Sequence, residues 1–343
     1  KLYLGFEILN RVLFDAPGAP VKKALMDAQI GKDIQSSYDN GIMQPVFSVI
    51  ALEARDDQED EFVKILEKNL AKIAKEGIPR RNLLAAFNYY EFKYREANFG
   101  RFPKGLMYGL QMFDSWLYDD EKPFIHIKTN ETFKQLRDEI ENGYFENLIK
   151  EYLINNKHKS IVIMKPKKGL QKVKDQEEAN KLKAYKEVKK LVEETKQLKA
   201  SQEEASTKEE LEKIPVIDIE DIRKDVKPLS NVESELGGVK VLWHQYFTNK
   251  IAYVKLAFDM SHVPMNLVPY ASFLAEILTI VDTTNYSYQE LGNEISIETG
   301  GIGATMDVMP TDVHEFLPMF ILKTKCFYSN ITKAFELLKE VAF

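Results

Sequence analysis

The feature that most constrains the fold is a charged run from about Lys165 to Lys227, which separates two segments rich in apolar and aromatic residues. Within the run, six apolar residues recur at three- and four-residue steps: Leu182, Tyr185, Val188, Leu191, Val192 and Leu198. This spacing puts them on one face of a helix, with Lys and Glu on the other faces. The run therefore predicts a helical arm or hairpin joining two domains; the alternative is a solvated, partly disordered linker.

A second, shorter helix is expected near the end of the arm. Thr207 and Glu210 have the spacing of a capping box, in which each side chain bonds the backbone N–H of the other residue. Pro215 should end this helix, because proline lacks the N–H that a helix interior needs.

Composition and charge exclude several kinds of partner. The 343 residues are 44% hydrophobic and 29% charged, which is typical of a soluble globular protein of two or three domains. A net charge of −6 argues against nucleic-acid binding, which needs a basic patch. No apolar run approaches the ~18 residues of a membrane span. We therefore expect neither a nucleic-acid nor a membrane partner.

The beginning of the chain and its cysteine content bear on location. The first apolar stretch, 2–14, contains Glu7 and Arg11, which the apolar core of a signal peptide would exclude. Cys326 is the single cysteine, so an internal disulfide is impossible. We expect an intracellular location, in the cytoplasm or, in a eukaryote, in an organelle matrix. Because both ends fall inside apolar periodic patterns, we also expect the chain to be a piece of a longer protein.

Helix and strand patterns alternate on both sides of the arm, which predicts an α+β fold. Before the arm, the patterns predict helices at 2–14, 19–29, 56–76, 82–96, 106–117 and 132–155, the last broken at Gly143, a turn at 38–41, and strands at 46–52 and 160–164. After the arm, they predict an antiparallel pair of strands at 239–243 and 251–258, strands from Gly303 and at 316–327, and helices at 267–280, 287–299 and 330–343.

A weak internal repeat links the two segments. Pro45, Phe47, Phe62 and Ile65 have the same mutual spacing as Pro318, Phe320, Phe335 and Leu338. At both places a helix, a glycine, a polar strand, a buried strand and an amphipathic helix follow in order. The repeat predicts two similar sheet-and-helix bodies, although four matching positions could also arise by chance.

The residues that usually carry chemistry do not form a recognisable site. None of the five histidines stands within five residues of another, so a helical two-His metal pair is absent. His314-Glu315 begins like a zincin motif, but Pro318 occupies the place of the second histidine. Cys326 lies in an apolar strand and is expected in the core. Gly300-Gly301 should supply positive φ at a helix end. The sequence thus offers no catalytic residue and no metal ligand.

An aromatic stripe is the remaining candidate for binding. It consists of Phe87, Tyr90, Tyr94, Tyr108, Phe113 and Trp116. Its spacing is mostly that of core residues, but part of it could line a cavity for apolar peptide side chains. No specific substrate-binding residue can be assigned.

Three stretches after the arm carry a family resemblance: Phe247-Thr248-Asn249-Lys250-Ile251-Ala252-Tyr253, Leu256-Ala257-Phe258-Asp259-Met260-Ser261-His262-Val263-Pro264 and Tyr286-Ser287-Tyr288-Gln289-Glu290-Leu291-Gly292-Asn293-Glu294-Ile295. They resemble the start of the third domain in the presequence-protease branch of the insulinase (pitrilysin-type) zinc metallopeptidases. Residues 213–222 resemble the segment that leaves the helical hinge of that branch, and 20–54 and 95–116 resemble its second domain.

The resemblance implies a place for this chain in a larger enzyme. Members of the family have four similar α+β domains in two halves, which close into a chamber that admits unfolded peptides. Their zinc lies in the first domain on an inverted His-x-x-Glu-His motif with a distal Glu, and late Arg and Tyr residues complete the site. No position in this chain matches any of these.

We therefore expect 1–165 to be part of the second domain, 166–228 the hinge and 229–343 the front of the third domain. On this interpretation the chain is a non-catalytic middle segment of a zinc peptidase, inactive alone and without zinc, whose partners are unfolded peptides and the remaining domains of the parent. In the alternative interpretation, the parent is an inactive, structural or peptide-binding subunit of the same superfamily. A third possibility, an unrelated helical-arm scaffold, requires the match to be accidental.

Overall fold

The computed structural model describes residues 1–185, 188–225, 230–312 and 315–343. They form two compact units. The larger unit combines 1–157 with 247–343, and the smaller unit is 158–246. Helices and antiparallel strands occur together throughout, so the predicted α+β class is confirmed. The three-part division of the sequence at 165/166 and 228/229 stays a prediction.

The first segment of the larger unit is mostly helical. Its helices are α1 (Leu2–Asn10), continued by a π-helical turn (Arg11–Asp15), α2 (Pro20–Asp27), α3 (Glu59–Glu76), α4 (Arg80–Glu96), α5 (Lys104–Trp116), α6 (Asn130–Asp138) and α7 (Tyr144–Leu148), followed by a π-helical turn (Ile149–Ile154). Pro20 begins α2, and Gly77, at φ +90°, ends α3. Gly143, at φ +69°, separates α6 from α7, as predicted.

Two strands complete this segment. β1 (Asp33–Asp39) pairs antiparallel with β2 (Val46–Leu52), which confirms the predicted strand at 46–52. The turn predicted at 38–41 begins later, because Tyr38 lies in β1 opposite Phe47 and packs on Phe6. The strand predicted at 160–164 is wrong. Its residues are not in a strand, and Val162 and Met164 are 78% and 91% exposed.

The second segment holds a three-stranded antiparallel sheet in the order β5-β7-β6. Its elements are β5 (Ile251–Asp259), α11 (Val268–Ile277), α12 (Tyr288–Glu298), β6 (Ile302–Asp312), β7 (Glu315–Phe327) and α13 (Ile331–Ala342). The Oγ of Ser287 accepts from the N–H of Glu290, and the Glu290 carboxylate accepts from the N–H of Ser287. The capping-box spacing thus located the start of α12.

The elements predicted for the repeat are present in order at both places. α2, β1, β2 and α3 follow one another in the first segment, and α12, β6, β7 and α13 do so in the second. In each case the two strands are antiparallel neighbours. A common origin of the two arrangements stays a prediction.

The smaller unit contains the arm. Its elements are α8 (Leu170–Ala184), α9 (Val188–Glu203), α10 (Lys208–Leu211), β3 (Val232–Leu236) and β4 (Val239–Trp243). α8 ends at Ala184 because Tyr185 has an extended backbone, so the predicted apolar face does not run through one helix. The capping box of Thr207 and Glu210 is formed at α10. Leu182, Leu191 and the other apolar residues of that predicted face are exposed.

The pairing predicted between 239–243 and 251–258 is wrong. β4 pairs instead with β3 through the tight turn at Gly237 and Gly238, both at positive φ, and β5 pairs with β7. The indole N–H of Trp243 donates to Ser234 Oγ at 2.7 Å across the β3–β4 hairpin. The described residues contain no helix with the length and apolar character needed to cross a membrane.

Within the larger unit, α4 of the first segment packs against α12 and the sheet of the second. Asn88 Nδ2 donates to the carbonyl of Ile297 at 3.2 Å, and Arg81 forms an ion pair with Glu294. The side chain of Glu96, at the end of α4, is 7% exposed, and its carboxylate accepts from Tyr253 Oη at 2.9 Å and from Lys325 Nζ at 2.5 Å. The sequence did not predict this direct contact between the two segments.

Candidate functional site

The histidines do not assemble a metal site. Over the described parts of the chain, no three His, Cys, Asp or Glu side chains lie together as a metal centre would require. His126 is buried with its ring 4.5 Å from that of Tyr3, and burial lowers its pKa. His158, His244 and His262 are exposed. His314, the residue of the incomplete zincin pattern, lies outside the described residues.

Cys326 is a core residue, as predicted. It is fully buried in β7 opposite Ala252, and burial raises the pKa of its thiol. A raised pKa keeps the thiol protonated near neutral pH, whereas a nucleophilic cysteine needs a lowered one. The surroundings of Cys326 therefore support a packing role.

The glycines after α12 also have structural roles. Gly301 has a φ of +118°, so the predicted positive φ is present here. Gly300 lies so close to the Phe92 ring that a Cβ built on it would be 2.2 Å from Phe92 Cε1. Gly300 therefore lets β6 begin directly against α4.

The predicted aromatic stripe divides into three environments. Phe87 is fully buried against Phe133 and belongs to the core. Phe113 and Trp116 are 45% and 42% exposed and stack on each other, with ring centroids 5.9 Å apart. The remaining members, Tyr90, Tyr94 and Tyr108, line a cavity. This part of the stripe is the candidate functional site.

The cavity lies within the first segment, between α1, the β1–β2 hairpin, α4 and α5. It has a volume of about 400 Å³, within the range of small-molecule sites. The lining combines aromatic, acidic and amide side chains: Glu7, Asn10, Tyr38, Asn40, Tyr90, Lys93, Tyr94, Ala97, Phe99, Tyr108, Gln111, Asp114, His126 and Ile127.

Glu7 is one of two acidic residues in the lining, and other cavity residues donate hydrogen bonds to its carboxylate. Tyr94 Oη donates to both of its carboxylate oxygens at 3.1 Å, and Asn40 Nδ2 donates to Oε1 at 3.2 Å. Burial raises the pKa of Glu7 even though these bonds oppose the shift. Burial and the nearby Glu7 charge also raise the pKa of Tyr38 to about 12 and raise that of Tyr94 further. The Tyr94 hydroxyl therefore stays a hydrogen-bond donor.

Asn10 lies one helical turn from Glu7 and is 7% exposed. Its Nδ2 donates to Asp15 Oδ2 at 2.8 Å, which fixes the orientation of the amide because a carboxylate can only accept. Its Oδ1 is buried and has no hydrogen-bond partner among the described residues. Buried acceptors in proteins are nearly always paired, so this atom marks an incomplete hydrogen-bond network beside the cavity.

Charged groups also lie around Glu7. Lys93 is exposed, and its Nζ is 5.7 Å from the centroid of the Tyr90 ring. Asp114 lies in the lining near His126, and burial raises the pKa of the Asp114 carboxyl.

Sequence reasoning missed Glu7 and Asn10. It used Glu7 only to exclude a signal peptide and did not single out Asn10. The available signal was a pair of polar residues, three positions apart, inside an apolar helix that is otherwise largely buried. Such residues need partners in the fold, which makes them candidates for a polar cavity.

Comparison of the sequence with known proteins assigns this chain to a family. Residues 164–343 match the family model for the region associated with peptidases of family M16, subfamily C. Protein HypA of Clostridium perfringens is 36% identical over 98% of this chain and 36% of its own length. Presequence protease 1, chloroplastic/mitochondrial, of Arabidopsis thaliana is 30% identical over 88% of this chain and 29% of its own length.

More distant relatives cover the same region. The mitochondrial presequence protease of Danio rerio is 23% identical over 97% of this chain and 33% of its own length. The chain thus spans about a third of the length of these curated relatives. The match to the family model extends over more than half of the chain, and the resemblance to presequence proteases extends over nearly all of it. The chain belongs to this peptidase-associated family and is related to the presequence proteases.

Proposed function

We propose that this chain is the non-catalytic middle segment of a zinc-dependent peptidase that degrades unfolded peptides in a closed chamber. In this proposal residues 1–165 belong to the second domain, 166–228 form the hinge and 229–343 form the front of the third domain. The chain contributes chamber wall and hinge, and the zinc site lies in another part of the parent protein.

The proposal rests on two observations taken together: the family match and the lack of a metal-binding cluster among the described residues. The chain belongs to a peptidase-associated family, yet its described residues contain no metal-binding cluster. Two of the relatives above are named presequence proteases, and the chain covers about a third of their length. A middle segment without catalytic residues accounts for both facts.

The proposed partners and location follow from the same relatives. Unfolded peptides would be the substrates, and the other domains of the parent would cover apolar surface that this chain exposes. The names of the two presequence proteases place those proteins in mitochondria or chloroplasts. We propose an intracellular location here, the cytoplasm in a bacterium or an organelle matrix in a eukaryote.

The alternative is an inactive superfamily member that serves as a structural or peptide-binding subunit. The name of the Clostridium relative, Protein HypA, specifies no protease activity, which keeps this alternative open. In that case the parent would lack the inverted zinc motif upstream of this chain.

Peptide hydrolysis by the complete protein distinguishes the zinc peptidase from the inactive subunit. We expect the complete protein to cut an unstructured fluorogenic peptide, to lose this activity with 1,10-phenanthroline and to regain it with added zinc. The 343-residue chain alone should cut nothing. A complete protein that contains no inverted zinc motif and does not hydrolyse peptides would contradict the enzymatic proposal and favour the inactive subunit.

A further inference from the structure

The acceptor atoms of Glu7 and Asn10 have more hydrogen-bonding capacity than their partners among the described residues use. The Glu7 carboxylate can accept about four hydrogen bonds, and its partners are one Tyr94 hydroxyl, shared between both oxygens, and one Asn40 amide. Asn10 Oδ1 has no partner among the described residues. A ligand that donates hydrogen bonds would complete this network, whereas a ligand that only accepts would not.

The charges of the lining favour a cation. Glu7 is half-buried and Asp114 lies in the same lining, so an anion would face two carboxylates in a partly desolvated space. Burial lowers the pKa of His126, which also lies in the lining, and so disfavours a positive charge on its ring. Lys93 opposes this preference, but it is exposed and lies over Tyr90 rather than in a hydrogen bond with Glu7.

Aromatic residues complete the surroundings that an organic cation needs. Tyr38, Tyr90, Tyr94, Phe99 and Tyr108 all line the cavity. The faces of such rings attract ammonium and guanidinium groups, and the interaction strengthens when the cation leaves water. Aromatic residues around a carboxylate therefore suit a cation that carries an apolar stem.

We propose that this cavity binds the ammonium or guanidinium group of a basic side chain in a bound peptide, with Glu7 and Asn10 as acceptors and the aromatic lining around the alkyl stem. The assignment to a peptide side chain rests on the proposed function. The assignment to an organic cation rests on the cavity alone. Glu7 and Asn10 then select lysine or arginine at one position of a peptide held against this wall.

Saturation-transfer NMR on the complete protein, with 1,10-phenanthroline present to stop hydrolysis, tests the assignment. The probes are N-acetyl-lysine methylamide, N-acetyl-arginine methylamide and the uncharged N-acetyl-norleucine methylamide. We expect the two basic probes to bind and the norleucine probe to bind much more weakly. Equal binding of all three, or no binding of the basic probes, would overturn the proposal.

Two matched variants locate the binding. Glu7→Gln removes the charge but keeps the shape of the side chain, and should weaken binding of the lysine probe by about tenfold or more. Glu91→Gln is the control, because Glu91 is similarly shielded, at 17% exposure, but lies outside the cavity and pairs with Arg95 and Arg137. It should leave binding unchanged. Circular dichroism checks that both variants fold, and equal losses in both would contradict the assignment to this cavity.

Lys93→Gln gives a result of opposite sign, which loss of folding cannot imitate. Removing this competing charge should strengthen binding of the lysine probe by about two- to fivefold. If the cavity instead bound an anion through Lys93, the same variant would weaken an acidic probe, N-acetyl-glutamate methylamide, and leave the lysine probe unaffected. That outcome would overturn the proposal.

Two further probes distinguish a peptide side chain from a free polyamine as the source of the cation. The peptide acetyl-Ala-Ala-Lys-Ala-Ala-amide should bind at least as tightly as the capped lysine, and its binding should depend on Glu7. Tighter binding of free spermidine than of this peptide would overturn the peptide source. If the complete protein binds the lysine probe but hydrolyses no peptide, the cation site is supported and the proposed enzymatic function is contradicted. If it hydrolyses peptides but does not bind the lysine probe, the enzymatic function is supported and the cation site is contradicted.

Discussion

The two segments of the larger unit differ in how they are stabilised. The first segment, 1–157, has an extensive buried core built from α1, α2, α4, α6 and α7, with Leu9, Phe87 and Phe145 at or near zero exposure. The second segment, 247–343, has a smaller cluster in which α12 and α13 pack on one face of the sheet around Leu322. The difference indicates that the first segment is stabilised mainly by its own core, whereas the second depends more on its contact with α4.

The largest expected effect is the loss of stability when a buried leucine is replaced by alanine, which can be compared between the two cores. Leu9→Ala in the first core should lower the free energy of unfolding by about 4 kcal/mol, and Leu322→Ala in the smaller cluster by about 2 kcal/mol, because smaller surroundings can relax around the missing atoms. Both leucines are at most 1% exposed. Urea unfolding followed by circular dichroism measures both, and a larger loss for Leu322→Ala would reverse the comparison.

The next effect concerns the contact between the segments. Gly300→Ala would drive a methyl group into the Phe92 ring and should cost about 1–3 kcal/mol by overpacking. Gly303→Ala is the matched control, because its Cβ would lie 3.9 Å from the nearest atom, Lys323 Cε. We expect it to change stability by less than about 0.5 kcal/mol.

Limited proteolysis identifies which segment the Gly300→Ala variant loosens. Cleavage should increase in 247–343 and not in 1–157. Adding Phe92→Leu should restore part of the loss by making room for the methyl group. If Gly300→Ala and Gly303→Ala behave alike, the close approach of β6 to α4 is not important for stability.

The smallest effect compares the capping boxes of the two compact units. Ser287→Ala should cost about 1 kcal/mol, because it removes the cap of α12, whose Leu291 is fully buried. Thr207→Ala removes the same kind of cap from α10, a short helix without buried residues. We expect no change in global unfolding for Thr207→Ala, and an equal loss in both variants would contradict this difference.

The pH dependence of the α12 cap has a definite sign. Hydrogen bonds from Ser287 lower the pKa of Glu290. The contribution of the Glu290 carboxylate to stability is therefore fully present above the pKa of glutamate in the unfolded chain. It is lost as the pH falls through the lower pKa of Glu290 in the folded chain. The difference in free energy of unfolding between Ser287→Ala and the unsubstituted 343-residue chain should therefore shrink over that acidic range, as urea unfolding at a series of pH values would measure.

Local signals predicted most of the elements. Periodicity and glycine or capping positions located α3, α12 and the break at Gly143. The pairing of β4 was not predicted correctly, because periodicity identifies a strand but does not choose its neighbour. The Ile and Val run at 160–164 was mistaken for a strand because an apolar run carries no information about whether a sheet is available to receive it.

The candidate site was less predictable than the fold. The stripe pointed to Tyr90, Tyr94 and Tyr108, but it could not separate them from Phe87, which is in the core, or from Phe113, which is exposed. Glu7 meets Tyr94 only because α1 packs beside α4, which brings together two residues that are 87 positions apart in the chain. Tertiary contacts of this separation leave no local pattern in a single sequence.

Zinc content tests most directly the claim that the catalytic site lies outside this chain. The 343-residue chain and the complete protein would be purified in parallel with zinc present, desalted and measured by mass spectrometry for metal per polypeptide. The account predicts stoichiometric zinc in the complete protein and none in the chain. Stoichiometric zinc in the isolated chain would contradict it.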